Sequence, residues 1–211
     1  FGPTLLSWLE ENAGNVYQAI READERGAER FGGHGSALAQ AFHHVIMPLA
    51  NVRDRRTQVR WGVRDFERRF GRKPEGMWLP ETAVNLDTLE ALAEAGIAFT
   101  ILAPHQARRI RRLDDDGHVD GDWHDVSEAG IDTTRAYRQR LPSGASIALF
   151  FYDGPISRGV AFENLLASGE GFADRITHAF RDREGPQLAN IATDGETYGH
   201  HHRNGDMALA Y

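Results

Sequence analysis

Apolar positions along this chain switch between helical and extended spacing, and that switching predicts the order of elements. A helix-like run covers about Asn15 to Arg26, and the glycine-rich turn Phe31-Gly32-Gly33-His34-Gly35 follows it. From Ser36, which suits an N-cap, Leu38, Phe42, Val45 and Leu49 recur at helical spacing, and Pro48 ends the regular helix. The clearest helix carries Val59, Val63, Phe66 and Phe70 on one stripe, arginines on its other faces, and the stop Gly71-Arg72-Lys73-Pro74. Gly76 to Leu79 then reads as a strand. A second helix runs from about Asn85 to Ala95 with Leu86, Leu89 and Ala93 inward and Gly96 at its C-cap. Ile97 to Leu102 is a continuous apolar strand. Strand, crossover helix and strand make a βαβ unit of a parallel sheet.

Between Arg108 and Ser146 the periodicity loosens into charged and turn-forming residues, so residues 108–146 read as an excursion on the rim of the sheet. Ser146 to Phe151 is again a buried strand and delivers Tyr152-Asp153-Gly154-Pro155 to its end. Helical segments follow around Ala161 to Ala167 and Phe172 to Arg183, the second with Phe172, Ile176 and Phe180 on one stripe. A last strand, Leu188 to Ala192, runs straight into Asp194. The predicted class is α/β, with parallel strands and crossover helices. Its strands end in polar loops that carry Glu81, Asp153 and Asp194, on the carboxyl edge where such folds collect their chemistry.

Composition narrows the partners. With 211 residues, 41% of them hydrophobic, and no Ser/Gly/Pro-rich linker, the chain reads as one domain over residues 1–211. A formal charge of −7 disfavours a nucleic acid, which calls for a net basic face. Arg108, Arg109, Arg111 and Arg112 do cluster, but Asp114, Asp115 and Asp116 follow, so they read as a solvated, self-compensating surface loop. The absence of cysteine excludes disulfides and thiolate metal sites and fits a reducing cytoplasm, where the protein is expected. No apolar run reaches membrane-spanning length and no cationic-then-apolar leader is seen, so no membrane partner is expected. The chain opens at Phe1 and stops at Tyr211, inside the helix-like Asp206 to Ala210, and is read as a fragment lacking N- and C-terminal parts of its parent.

Two blocks hold the candidate chemistry: Gly76-Met77-Trp78-Leu79-Pro80-Glu81 and Thr193-Asp194-Gly195-Glu196-Thr197-Tyr198-Gly199-His200-His201-His202. Each sets a carboxylate just past an apolar run, beside an aromatic ring and turn residues. Glycoside cleavage needs one carboxylate to attack or stabilise the anomeric carbon and one carboxyl to protonate the leaving oxygen. Glu81 suits the first task. Asp194 suits the second, with Glu196 as a nearby like charge that helps hold its proton. Trp78 and Tyr198 offer flat faces for the C–H side of a sugar ring, and Asp153 sits at a third strand end.

These residues resemble those of glycoside hydrolase family 57. The Gly76 to Glu81 block is similar to that family's nucleophile block, and Asp194 to His200 is similar to its acid/base block, an Asp-x-Glu followed by an aromatic, glycine and histidine. Phe1 to Leu6, His34-Gly35 leading to His43-His44-Val45-Ile46-Met47-Pro48-Leu49, and Thr100 to Gln106 extend the similarity over most of the chain. The resemblance implies an incomplete (β/α)7 barrel, truncated at both ends, acting on an oligo- or polysaccharide of the starch or glycogen type. It implies a retaining two-carboxylate mechanism, by hydrolysis or by glucan transfer, with no cofactor and no metal. Carried over by position, Glu81 becomes the nucleophile and Asp194 the general acid/base. His34, His44, Trp78, Glu196 and His200 join the substrate-binding shell. Retention also implies that the two carboxyl groups lie about 5–5.5 Å apart. The family's first motif would precede Phe1, and His201-His202 stand where many members carry aromatic residues.

Duller readings compete with each of these. Glu81 would cap the following helix, Asp194 and Glu196 would be loop acids that stabilise the turn at Gly195, and Asp153-Gly154-Pro155 would be turn chemistry alone. Among functions, the ten histidines invite a zinc-dependent barrel hydrolase of the mannosidase or polysaccharide deacetylase type. Consecutive histidines cannot all reach one ion, however, and no well-spaced His-x3-His helix motif is present. A glucan-binding protein without turnover is the remaining class.

Overall fold

The computed structural model describes residues 1–114, 116–128 and 130–211, so Asp115 of the acidic run lies outside the described residues. In chain order the elements are α1 (Pro3–Asn12), α2 (Gly14–Arg30), β1 (Ala39–Gln40), α3 (Val52–Phe70), β2 (Met77–Trp78), α4 (Leu86–Glu94) and β3 (Phe99–Leu102). They continue with β4 (Arg109–Ile110), β5 (His124–Asp125), β6 (Tyr137–Arg140), β7 (Ser146–Phe151), α5 (Gly154–Phe162), α6 (Gly169–Thr177) and α7 (Gly205–Ala210). The chain gathers into two compact units, one of residues 1–101 with 138–149 and one of residues 102–137 with 150–211. No helix among the described residues is long and apolar enough to cross a membrane.

In the first unit β1 pairs in parallel with β2 in the register Ala39 to Met77 and Gln40 to Trp78, and β2 meets β3 through a parallel bridge from Gly76 to Phe99. The order continues β3-β7-β6. The Ala148 N–H donates to the Ala98 carbonyl at 2.9 Å, and the tight turn from Leu141 to Ala145 folds β6 back on β7. The predicted βαβ unit from Gly76 to Leu102 is therefore present.

Helix α3 begins where the Asn51 side chain accepts the Asp54 N–H and ends at Gly71, whose φ of 67° closes the last turn. Val59 and Phe66 are buried, as the stripe predicts. A glycine at position 62 lets the helix press onto β1, since a Cβ there would lie 2.0 Å from the Gln40 carbonyl oxygen. Gly76 does the same for the sheet, because the Phe99 ring occupies the space of its missing side chain.

The arginines of α3 do not all face water, as the helical wheel suggested. Arg69 is only 2% exposed and bonds Asp65 (2.9 Å), Glu10 (2.9 Å) and Ser7 (2.9 Å), tying α1 to α3, and Arg55 is buried on the Met47 and Ala50 carbonyls. Burying a guanidinium is tolerated only when its donors are met.

A second clamp holds the entry to β1. Arg72 grips Asp24 of α2 through two bonds of 2.8 and 2.9 Å, while the Asp24 carboxylate accepts the Ala37 N–H and Arg72 donates to the Ala37 carbonyl. Burial alone would raise the Asp24 carboxyl, but the Arg72 guanidinium and the Ala37 N–H outweigh it and hold it below the usual carboxylate range.

Other predicted elements are corrected. The segment from Ser36 to Leu49 is not a helix: it holds β1 and a short 3-10 turn at Met47–Leu49, with Leu49 84% exposed. The residues that bury here are Ala39, Ala41 and Met47, which the spacing of larger apolar residues concealed. Leu86 is exposed rather than inward. The helix read at Ala161 to Ala167 lies earlier, as α5, and the next ends at Thr177 with Phe180 exposed.

In the second unit Val160, Leu166, Phe172 and Ala208 form a core joined by Ile176, Ile191 and Tyr198. Leu188 to Ala192, predicted as a strand, joins no ladder and is held instead by single bonds, Leu188 N–H to the Thr134 carbonyl and Asp153 N–H to the Asn190 carbonyl. The hairpin of β4 and β5 carries the arginine cluster, where Arg109 and Arg111 each lie 4.5 Å from the Trp123 ring centre and Arg112 faces Asp120 at 3.7 Å. Asp120 thus supplies a counter-charge to Arg112 from across the hairpin.

Candidate active site

The first carboxylate stands at the end of β2. Met77 and Leu79 are buried on one face, Trp78 is half-buried on the other, and Pro80 opens a 3-10 turn through Thr82. Within it Glu81 takes φ 55°, ψ 20° and Thr82 takes φ 52°, left-handed conformations that cost of order 1–3 kcal/mol each in residues other than glycine. Consecutive strain of this kind persists where neighbours over-determine it. Here the Thr82 and Ala83 N–H groups close onto the Leu79 and Pro80 carbonyls at 2.9 and 3.0 Å.

The kink lifts the Glu81 side chain into solvent, 70% exposed, where Oε1 lies 3.0 Å from Nε2 of His44. His44 comes from the loop after β1, the parallel neighbour of β2, so both groups project from one strand edge. A ring N–H donated to Oε1 fixes the carboxylate plane and leaves Oε2 for a substrate. The helix-capping role that competes for Glu81 falls to Asn85, whose side chain accepts the Thr88 N–H at 2.9 Å.

His34 is not brought to that edge. It precedes β1, and its Nδ1 bonds Oε1 of Glu75 at 2.7 Å, just before β2, at the opposite end of the parallel pair. No motif marks this pairing beyond the position of Glu75 immediately ahead of the glycine block.

The second unit carries the remaining candidates. Asp194 is exposed at the head of a 3-10 turn, Gly195–Tyr198, and its side chain makes no capping bond, so it does not serve the turn as a loop acid would. The turn is held by other groups. The Thr197 N–H donates to the Asp194 carbonyl, the His200 and His201 N–H groups to the Glu196 carbonyl, and the hydroxyls of Thr193 and Tyr198 meet at 3.0 Å. Glu196 is exposed, whereas Tyr198 packs on the unit's core and keeps one part of its ring accessible.

The rings of His200 and His201 stand edge to face at 5.0 Å, and Nε2 of His202 is spent on the Ala161 carbonyl at 3.1 Å. Among the described residues no group of three or more His, Cys, Asp or Glu is gathered to hold a metal ion. Asp153 spends its carboxylate on the Ile156 N–H at 2.8 Å, capping α5, as its turn chemistry predicts.

Comparison with known proteins bears on the family and the fold. The model of glycosyl hydrolase family 57 matches residues 1–211. The chain is 29% identical over 102 residues to alpha-amylase 1 of Dictyoglomus thermophilum, covering 48% of this chain and 14% of that protein. It is 26% identical over 102 residues to 4-alpha-glucanotransferase of Thermococcus litoralis, with the same 48% and 14% coverage. The chain thus spans about one seventh of the length of these relatives. The solved structure of a 4-alpha-glucanotransferase from Thermococcus litoralis superposes with a TM-score of 0.72 at 19% identity, over 98% of this chain and 28% of the other. The mixed α/β fold is therefore that of this group of enzymes.

Proposed function

Because the chain belongs to glycosyl hydrolase family 57, we propose that it carries the reacting carboxylates of an enzyme that cleaves or transfers α-glucan chains with retention at the anomeric carbon. The observation that carries this reading is Glu81, an exposed carboxylate on a strained strand-end kink, oriented by His44 and freed from capping duty by Asn85. Relatives named alpha-amylase and 4-alpha-glucanotransferase support the substrate class.

In the proposed reaction Oε2 of Glu81 attacks the anomeric carbon while the bond to the leaving oxygen breaks. Asp194 gives its proton to that oxygen, and a glycosyl ester of Glu81 forms. The Asp194 carboxylate then takes a proton from water, or from the hydroxyl of a second glucan, whose oxygen displaces Glu81. Water yields hydrolysis and a glucan hydroxyl yields transfer. His44 holds Oε1 throughout. Trp78, Tyr198, Glu196 and His200 line the substrate, and Asp153 lends a strand-end carboxylate already engaged with its helix.

The parallel run of β1, β2, β3 and β7 with crossover helices α3 and α4 supports an incomplete (β/α)7 barrel. We read residues 1–211 as part of that one catalytic domain, with residues 108–146 on its rim, in a cytoplasmic protein.

A fluorinated glucosyl donor that accumulates the covalent intermediate tests the reading, by mapping the labelled peptide of the complete parent enzyme. The label is expected on the peptide bearing Glu81, and turnover by Glu81→Ala should be partly restored by azide. A label on another acid would refute the assignment, and glucan binding with no turnover by the parent would favour a binding protein.

A further inference from the structure

We propose that Phe42, His43 and Trp61 form a second sugar-binding site, outside the reacting pair, that takes a pyranose ring of an α-glucan chain. The inference rests on the glucan-processing reading above and adds a place where a longer chain is held.

Three rings meet here edge to face: Phe42 and His43 at 4.9 Å and 89°, Phe42 and Trp61 at 5.6 Å and 82°, His43 and Trp61 at 6.3 Å and 68°. None is a core residue. Trp61 is 47% exposed on a helix whose stripe residues Val59 and Phe66 are buried, His43 is exposed and Phe42 is half-buried. Large rings left at a surface in a cluster mark a recognition site more often than a packing accident.

The polar half of the site is set by Gln58. Its Oε1 accepts the His43 backbone N–H at 2.8 Å, which orients the amide and turns its NH2 group to Nδ1 of the His43 ring, 3.1 Å away. Nδ1 must therefore accept, and the neutral ring carries its proton on Nε2 as a donor of fixed direction. An apolar platform beside one fixed, uncharged donor suits a neutral polyol ring, which offers a C–H face and a rim of hydroxyl acceptors.

Position favours the same ligand. His43 adjoins His44, whose ring holds Glu81, so one short loop after β1 serves the reacting carboxylate with one residue and the platform with the one before it. A glucan reaching Glu81 from that side meets the platform next.

The test compares a short maltooligosaccharide with soluble starch in the complete parent enzyme, for Trp61→Ala, Trp61→Tyr and His43→Ala, with Tm recorded for each. Loss of the platform should raise KM for starch about 3–10-fold, the scale of an aromatic contact, with kcat and the short substrate unchanged and Trp61→Tyr retaining the wild-type value. His43→Ala, at an exposed position, keeps the test valid should Trp61→Ala fail to fold. Unchanged KM for starch, or an equal rise for both substrates, would overturn the site. Starch affinity of the Glu81→Gln protein, with and without Trp61→Ala, separates the two readings. Turnover that survives Glu81→Gln overturns the catalytic assignment, whereas an affinity insensitive to Trp61→Ala overturns the platform.

Discussion

The loops that carry Glu81 and Asp194 are built on opposite principles. Glu81 follows a strand with a parallel neighbour on each side, enters a left-handed kink, and has an imidazole on one oxygen. Asp194 follows a segment that joins no ladder, and its side chain makes no bond to the turn it opens. On the proposed roles this difference has a reason. A nucleophile must approach carbon along one line and gains from being fixed, whereas a general acid that later acts as a base gains from an oxygen left free for the leaving group and then for water.

The largest effect should come from removing the acids themselves. Glu81→Ala is expected to lower turnover at least about 10^4-fold on every substrate, since no covalent step remains. Asp194→Ala should cost about 10^2–10^4-fold on glucans but far less in the first step on an aryl glucoside whose phenol leaves without a proton. Rates on a leaving-group series, measured for both variants, decide it. Identical dependence on the leaving group would erase the distinction between the loops.

The scaffold beneath the first loop should show itself in acid. Asp24 has a folded pKa below the unfolded value of about 3.9, so its stabilisation is fully present above that pH and is lost as pH falls through the folded value. Asp132 in the second unit shifts the same way: burial would raise it, but the Thr134 hydroxyl and N–H, with Arg181 and Arg183, hold it low. Urea denaturation should find both units less stable below about pH 4. Asp24→Asn, which leaves Arg72 with half its partners, should cost about 2–3 kcal/mol at pH 7, under the usual 3–5 because Arg72 keeps some contact with water, and should flatten the acid limb.

How much of this was legible in the sequence follows from what each residue type can signal. β7 was read with its true ends because Ile147 to Phe151 is an unbroken apolar run behind the polar Ser146, and α3 because four large residues and Gly71 mark its stripe and its stop. β1 was missed because the residues its segment buries, Ala39, Ala41 and Met47, make no stripe of large side chains, while Leu38, Phe42, Val45 and Leu49 fell at helical spacing by coincidence. The burial of Arg69 was invisible, since its partners Glu10 and Ser7 come from a helix some sixty positions earlier. Glu81 was legible as a candidate acid from its place after an apolar run, and its role came from family resemblance. The left-handed pair at Glu81 and Thr82 left no trace, because no glycine or asparagine announces it. The Gln58 amide that orients His43 lies on another element and belongs to no motif.

A smaller effect should separate the loops by their supports. Both members of the His44 and Glu81 pair are mostly exposed, 73% and 70%, so His44→Ala should leave Tm nearly unchanged. Once substrate excludes water the same bond orients the nucleophile, and kcat is expected to fall about tenfold with little change in KM. A loss confined to KM would make His44 a binding residue rather than the support of Glu81.

The smallest effect tests whether the second loop has a hidden support of its own. The hydroxyls of Thr193 and Tyr198 meet at 3.0 Å across the turn that contains Asp194, a staple from the residue before the acid to one four places after it. Tyr198→Phe removes that bond but keeps the ring against the core of the second unit, so stability should fall by about 0.5–1.5 kcal/mol, read from urea denaturation. Activity should then fall less than about threefold, because the Thr197 N–H still closes the turn onto the Asp194 carbonyl and the proton-bearing oxygen needs no fixed line of approach. A tenfold or greater loss of kcat in Tyr198→Phe would mean that Asp194 depends on its staple as Glu81 depends on His44, and the two loops would then be held by the same logic in different materials.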